Sequence, residues 1–525
     1  MRVKNILRNF ATGFTQYIAK ELLRFIVRTI FIYTLSKSFL GISSLFSSVL
    51  NILNIAELGI GTAISFALYK PLAVQDIEQI KSLMDLFKKS YRIIGLSILA
   101  VGLALMPFLP YIIKITVEQV NIYYIYILYL VNSVSSYFFF SYKSILLTAD
   151  QKKYIVDRVS IIVTFAVSLC QIAILFFLRS SPITAFYLYT ATNIVLTILG
   201  NIVIAKKVDR MYPYLKEKNI NLIERDIWKQ IVKNVKALSI ARVSRVALDS
   251  IDAVVISAVV INGVGVVGMY SNYTLLVSGI VAFFSIISSA LSASLGNFLV
   301  TEDIERSKNM FNGLNLLFSW MYGFCAICLW VLLNPFIGGV WLTTEWLLSD
   351  TAVFLIVVNF LLDGLMSAPI KFIQAAGLYW QARFRYILSA FINITLSVLF
   401  VVVFKWGIEG VLFATTIAKA AMISLDPYVL YKYFFKSSSI KYYVKFIVTL
   451  CFVLLTGTLV RFMLSLVYPA YSVISVAIGA LLCILVPNAL FYMALHRTED
   501  YVFARESILG YISSLRMTQT TKGRK

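Results

Sequence analysis

The chain has 525 residues, of which 60% are hydrophobic and 14% are charged, too few charged residues for a soluble domain, which carries about 25%. Its mean hydropathy is +0.85. The formal charge of +22 would suit a nucleic-acid partner, but the basic residues are spread over short segments between apolar stretches. That distribution is typical of membrane topology, so we predict an all-α polytopic membrane protein with no nucleic-acid partner.

About fourteen apolar stretches are long enough to cross a hydrocarbon core of about 30 Å, which takes roughly 20 helical residues. In chain order they are 13–36, 44–68, 92–113, 120–147, 158–178, 183–204, 238–261, 266–297, 310–333, 350–370, 386–404, 408–431, 446–467 and 471–495. We predict a transmembrane helix for each of them.

The Lys and Arg residues fall mostly into every second gap between these stretches. For example, the gap 69–91 contains Lys81, Lys88 and Lys89, whereas the gaps 262–265 and 334–349 contain no Lys or Arg. Because cationic loops stay in the cytoplasm, we expect both termini there. The charged pair Lys20 and Glu21 follows the first apolar residues without a small-residue cleavage site, so we expect a retained first helix.

A charged connection over 206–236 divides the chain, and its part 227–233 has an amphipathic pattern typical of a helix on the inner leaflet. We predict an N-lobe of six spans (1–205), this linker, a C-lobe of six spans (237–435), a final pair (436–496) and a cytoplasmic tail (497–525). The segments 143–150 and 371–378 lead into new spans in a similar way. Two six-span blocks share one orientation, so we predict a parallel repeat with a substrate path between its halves.

Several cations lie inside the predicted spans, where each costs about 2.5–3.5 kcal/mol unless it finds water or a partner. They are Arg24, Arg28, Arg242, Arg245 and Lys419. Since arginine matches phosphate oxygens with a planar fork, we predict that these five bind an anionic group such as a phosphate, a pyrophosphate or an acidic sugar. Snorkelling to the cytoplasmic surface is an equal alternative for Arg242 and Arg245.

Four carboxylates in the spans are candidates for ion coupling or for charge pairing: Glu57, Asp249, Asp252 and Asp363. Asp249 and Asp252 follow Arg245 at helical spacing, so neutralising the arginines is an equal alternative for them. Arg461 lies near the outer end of its span, and we interpret it as structural.

No metal, cofactor or catalytic site is expected, and we predict that the protein is not an enzyme. All five cysteines lie in predicted spans, and His496 is the single histidine. The longest outer gap, 335–349, is too short to build an active site of its own.

Several short motifs, in order over about residues 10 to 435, resemble the polysaccharide flippases of the multidrug/oligosaccharidyl-lipid/polysaccharide exporter superfamily. They are GISSLF (41–46), AELGIGTAI (56–64), LYKPL (68–72), ADQKKY (149–154), DAVVIS (252–257), YSNY (270–273) and GIEGV (407–411).

This resemblance implies two six-helix lobes around a V-shaped central cavity. It also implies transport of undecaprenyl-pyrophosphate-linked O-antigen or capsule repeat units to the outer leaflet of the bacterial cytoplasmic (inner) membrane, by alternating access. Polysaccharide polymerases and glycosyltransferases are then expected partners, and the chain is expected to be a monomer among membrane lipids. In related lipid II flippases, arginines of the first helix and an Ala-Glu-Gly segment of the second line the cavity; Arg24, Arg28 and Glu57 stand at comparable places, with an extra Leu58 here.

Two alternatives stay open. A cation-coupled multidrug exporter of the same superfamily would need an acid-rich cavity, and the intramembrane cations argue against it. A membrane polysaccharide polymerase or ligase would need a large outer loop with polar catalytic groups.

Overall fold

The computed structural model describes residues 2–57, 59–113, 121–217, 223–378, 381–467, 471–503, 505 and 506. Within these residues the chain forms eighteen α-helices and no β-strand, which confirms the all-α prediction. The helices are α1 (Arg2–Thr34), α2 (Lys37–Leu53), α3 (Ile60–Val74), α4 (Ile77–Leu105), α5 (Leu109–Ile112), α6 (Ile122–Phe138), α7 (Lys143–Ala149), α8 (Lys153–Phe177), α9 (Pro182–Met211), α10 (Arg225–Val259), α11 (Gly263–Thr301), α12 (Ile304–Phe336), α13 (Asp350–Leu365), α14 (Ser367–Ala375), α15 (Arg383–Val398), α16 (Gly407–Leu430), α17 (Ile440–Val467) and α18 (Val473–Leu495).

Eleven helical segments in the described part are long and apolar enough to cross a membrane, and the bent pair of α6 and α7 makes a twelfth. The two remaining predicted spans, 13–36 and 238–261, coincide with α1 and α10. Both helices are long enough but carry more charge than a purely apolar span. They are also the helices that hold four of the five predicted substrate-binding cations.

The second predicted span is not one continuous helix, which corrects our expectation for 44–68. α2 ends at Leu53, a tight turn covers Asn54–Glu57, and α3 begins at Ile60. Gly59 has a φ of 74°, a left-handed conformation that a residue with a Cβ adopts only at a cost. The glycine therefore permits a sharp break at mid-span.

Contacts divide the chain into two compact units, Met1–Ser271 and Asn272–Lys525. In the first unit, α1 packs on α8, α8 on α9, and α10 on α2. In the second, α15 packs on α16 and α12 packs on α13, α17 and α18. The segment 227–233 forms early turns of the 35-residue helix α10 and is not a separate helix. The lobes proposed from the repeat stay a prediction.

The end of α9 is attached to the two ends of α7. Lys143 pairs with Asp209 at 2.6 Å, and the Tyr212 hydroxyl donates a hydrogen bond to Asp150 at 2.5 Å. Burial raises the pKa of Tyr212, and the Asp150 hydrogen bond raises it further. Tyr212 therefore stays a neutral donor, and the start of the 206–236 connection is fixed to the first unit.

α2 and the start of α11 approach each other at two glycines. A Cβ on Gly41 would lie 1.9 Å from the carbonyl oxygen of Val264, and a Cβ on Gly268 would lie 2.5 Å from that of Lys37. Small residues at such crossings let two backbones pack closely within a membrane. This crossing fixes α2, which carries much of the site described below.

Replacing Gly41 with Ala is expected to destabilise the protein by about 1–3 kcal/mol, because the added methyl group overlaps the backbone of α11. The melting temperature of the purified protein in detergent measures this. Gly279→Ala in α11 is the matched control, since a Cβ there has no atom within 4 Å. Equal melting temperatures for the two variants would contradict the close approach.

Candidate functional site

The first unit contains a cavity of about 770 Å³ with polar walls. Six helices, α1, α2, α6, α8, α9 and α10, and the turn after α2 supply the lining. Its residues are Arg24, Ser43, Ser47, Ser48, Leu50, Asn51, Asn54, Tyr129, Asn132, Ser133, Gln171, Tyr189, Thr190, Asn193 and Ser250. Leu50 is the one aliphatic side chain among these fifteen.

One wall of the cavity is a polar stripe on α2. Ser43, Ser47 and Asn51 are each four residues apart and therefore share one helix face. The hydroxyls of Ser43 and Tyr129 are hydrogen-bonded at 2.6 Å, and the Asn51 amide donates to the Ser250 hydroxyl at 2.8 Å. These bonds join α2 to α6 and α10 and hold the stripe toward the cavity.

The opposite walls combine satisfied and available polar groups. Ser133 donates to the side-chain oxygen of Asn54 at 2.9 Å, which fixes the turn after α2. In contrast, the side chains of Ser48, Asn132 and Asn193 line the cavity without a hydrogen bond to any described residue. Each Asn amide offers two donors and a carbonyl acceptor. These groups are therefore available to water or to a polar ligand.

Arg24 is the one charged side chain among the described residues that line the cavity. Its side chain is 51% exposed, and its guanidinium lies 3.7 Å from the Glu21 carboxylate, a loose pairing. Neutral donors and acceptors with a single cation suit a polyhydroxyl ligand that also carries negative charge.

The other two residues predicted near this site make different contacts. Arg28 lies one turn after Arg24 and donates a 2.6 Å hydrogen bond to the hydroxyl of Ser271. Glu57 accepts a 3.3 Å hydrogen bond from the Tyr91 hydroxyl and lies close to Gly61. Neither residue belongs to the cavity lining, so the structure brings Arg24 alone of the three to it.

The described site residues among those predicted on the later helices do not line this cavity. In the second unit, Lys419 of α16 pairs with Asp363 of α13 at 2.7 Å and also donates to the Asn359 carbonyl at 3.2 Å. Asp252 of α10 is 5% exposed. Three further predicted side chains, on α10, lie outside the described part of the structure: Arg242, Arg245 and Asp249.

Sequence reasoning missed the uncharged residues that make up most of the site, because it considered only charges inside the membrane. The available signal was the four-residue spacing of Ser43, Ser47 and Asn51 in a helix otherwise rich in Leu, Ile and Phe. The pair Asn132–Ser133 in α6 is a second signal of the same kind.

No protein-family model matches the chain, and no curated protein matches its sequence. Among solved structures, the lipid II flippase MurJ in an inward closed conformation matches with a TM-score of 0.62 and 16% identity, over 94% of this chain and 100% of that chain. The Vibrio cholerae MATE transporter VcmN matches with a TM-score of 0.57 and 11% identity, over 83% and 99%. An inward-facing multidrug resistance MATE transporter of the MOP superfamily matches with a TM-score of 0.55 and 14% identity, over 79% of this chain and 94% of that chain.

At such low identities the likeness establishes the fold. The chain has the all-helical fold shared by MurJ and the MATE transporters, as the motifs predicted.

The Lys419–Asp363 pair is expected to contribute to stability through a charge-assisted hydrogen bond worth about 1.5–3 kcal/mol. Lys419→Gln alone leaves Asp363 without its cation, so the melting temperature in detergent is expected to fall. Adding Asp363→Asn is expected to restore part of that loss, since an amide pair replaces the ion pair. Additive losses in the double variant would contradict the pairing.

Proposed function

Because the chain has the fold of the MOP exporters, we propose that this protein is a flippase for a lipid-linked oligosaccharide. The proposed substrate is an undecaprenyl-pyrophosphate-linked repeat unit, moved from the inner to the outer leaflet of a bacterial cytoplasmic membrane by alternating access. The observation that carries the proposal is the cavity of about 770 Å³ in the first unit, where every lining residue except Arg24 and Leu50 has a hydroxyl or amide in its side chain.

The chemistry of the cavity suits a sugar. A hydroxyl moved into hydrocarbon without a partner costs several kcal/mol, so an oligosaccharide crosses the membrane only if other polar groups replace its water. In this cavity, hydrogen-bond donors and acceptors are available on the side chains of Ser48, Asn132 and Asn193. The volume lies in the range of about 300–1,000 Å³ typical of small-molecule sites, enough for part of a repeat unit.

Arg24 supplies the positive charge expected for a pyrophosphate or an acidic sugar. Its planar fork can donate two parallel hydrogen bonds to neighbouring anionic oxygens. The prenyl tail needs no polar partner and stays in the bilayer, because it is as apolar as the lipid chains. One molecule can therefore place its sugar and phosphates in the cavity and its tail in the lipid.

Lys419, the predicted substrate-binding cation of the second unit, is less accessible than Arg24, with 13% of its side chain exposed against 51%. Since Asp363 neutralises Lys419, this pair adds no net charge for binding an anion. We assign the pair, together with Glu57, to charge pairing or ion coupling. Arg24 is left as the cation with the strongest support for substrate binding.

A drug exporter for cations is the competing function. Cationic drugs need carboxylates, and none lies among the described residues lining this cavity. Resistance to cationic drugs on overexpression, without any effect on glycan export, would favour the exporter.

Export of labelled repeat units in cells that depend on this protein tests the proposal. Arg24→Ala is expected to lower the export rate by roughly tenfold to a hundredfold, because a charge-assisted hydrogen bond worth about 1.5–3 kcal/mol is lost. Arg24→Lys keeps the positive charge but lacks the planar fork, so its export rate is expected to lie between those of the wild type and of Arg24→Ala. The double variant Asn132→Ala/Asn193→Ala is expected to lower export without changing the charge.

Arg179→Ala is the matched control, because Arg179 is exposed in the connection between α8 and α9, away from the cavity. Membrane levels of each variant are measured by immunoblot. Wild-type export by Arg24→Ala and by the double Asn variant, at equal protein levels, would refute the substrate site.

A further inference from the structure

The second unit contains a smaller cavity of about 270 Å³ between α12, α17 and the residues after α18. Three lysines line it: Lys308 of α12 and Lys441 and Lys445 of α17. None of these lysines is part of the site described above. The charge pattern of the sequence predicts that this end of the helices faces the cytoplasm.

Positive charge dominates the cavity. Asp500 is the single carboxylate among its described lining residues and pairs with Lys445 at 2.6 Å. The Lys308 ammonium donates a hydrogen bond to the Ser437 hydroxyl at 3.3 Å and lies over the Tyr431 ring, and it has no carboxylate partner among the described residues. No described residue forms an ion pair with Lys441. Three cations and one carboxylate leave a net charge of +2, which favours an anionic ligand.

The lysines come first along both helices, and polar and apolar residues follow them. α17 contributes Lys441 and Lys445 before Val448 and Thr449, and α12 contributes Lys308 before Asn312, Asn315, Leu316 and Ser319. From Lys308 to Leu316 the helix rises by roughly 12 Å. This sequence of charged, polar and apolar groups matches the phosphate, glycerol and acyl parts of a phospholipid in the inner leaflet.

The polar middle of the cavity has groups available to a ligand. The side chains of Asn312 and Asn315 make no hydrogen bond to any described residue. Ser319, near the inner end, is 6% exposed and also lacks a hydrogen bond to the described residues. Such groups within a membrane protein are expected to find a partner, and ester or glycerol oxygens of a lipid provide acceptors and donors for them.

We propose that this cavity is a binding site for the headgroup of an anionic glycerophospholipid, with the phosphate between Lys308 and Lys441. The acyl chains then run past the exposed side chains of Val444 and Val448. At about 270 Å³ the cavity is too small for an oligosaccharide of several sugars but has room for a phosphate with glycerol. Basic pockets between helices on the cytoplasmic side commonly bind anionic lipids.

A lipid in this place bridges α12 to α17 and to the residues after α18. The bound lipid therefore stabilises the packing of the final helix pair, 436–496, against the remainder of the second unit.

The full-length protein, purified in detergent, is titrated with phosphatidylglycerol, phosphatidylcholine or inorganic phosphate, and lipid adducts are counted by native mass spectrometry. We expect saturable binding of phosphatidylglycerol and a rise in melting temperature, with neither effect from phosphatidylcholine. In Lys308→Gln/Lys441→Gln, which keeps the Lys445–Asp500 pair, affinity is expected to fall roughly tenfold or more.

The double variant Lys432→Gln/Lys436→Gln is the matched control, because it removes two cations from the neighbouring segment outside the cavity. It is expected to bind as the wild type does. Val448→Trp keeps every charge but blocks the apolar end, and is expected to weaken lipid binding as well. This variant keeps the test valid if Lys308→Gln/Lys441→Gln does not fold.

Three outcomes would overturn the proposal. The first is wild-type affinity in both Lys308→Gln/Lys441→Gln and Val448→Trp. The second is an equal loss in the Lys432→Gln/Lys436→Gln control, which would indicate general surface charge. The third is equal stabilisation by millimolar phosphate and by phosphatidylglycerol, which would indicate a free-anion site.

Discussion

A polar side chain within a bilayer has to find a protein partner, water or a ligand, and this constraint organises the whole chain. Most deep charges in the described part satisfy it by pairing. Lys419 pairs with Asp363, and Arg385 pairs with Asp426 where both side chains are almost fully buried. The two cavities differ from these pairs, because each has side-chain amides and hydroxyls that form no hydrogen bond to a described residue. The cavity of the first unit is the larger, at about 770 Å³ against about 270 Å³, and its size is the reason for placing the substrate there.

The architecture of the first unit keeps this polar surface in position. α2 carries the polar stripe, and its attachments include the glycine crossing with α11, the Ser43–Tyr129 hydrogen bond to α6 and the Asn51–Ser250 hydrogen bond to α10. Both Asn54 and Glu57 lie in the turn after α2, but Asn54 lines the cavity whereas Glu57 accepts a hydrogen bond from Tyr91. The two ends of this one turn therefore differ in their contacts.

The sequence predicted the helices better than the site. Apolar stretches of sufficient length correspond to helices throughout, because the bilayer itself demands that length. The segment 44–68 was predicted as one span, since the apolar pattern continues through Gly59, where the helix in fact breaks. Intramembrane charges led to Arg24 but also to Lys419, whose neutralising partner is distant in sequence. The neutral lining of Ser, Asn and Tyr residues was missed because spacing alone does not reveal which polar faces meet.

The central claim is that the neutral polar groups of the first unit form a hydrated site for the sugar of a lipid-linked substrate. The most direct test introduces Asn132→Cys or Asn193→Cys into a variant without the five native cysteines and measures its reaction with a membrane-impermeant thiol reagent. We predict reaction at both positions, slowed by the lipid-linked oligosaccharide but not by the prenyl phosphate carrier alone. Inert thiols at both positions, or equal protection by the bare carrier, would contradict the account.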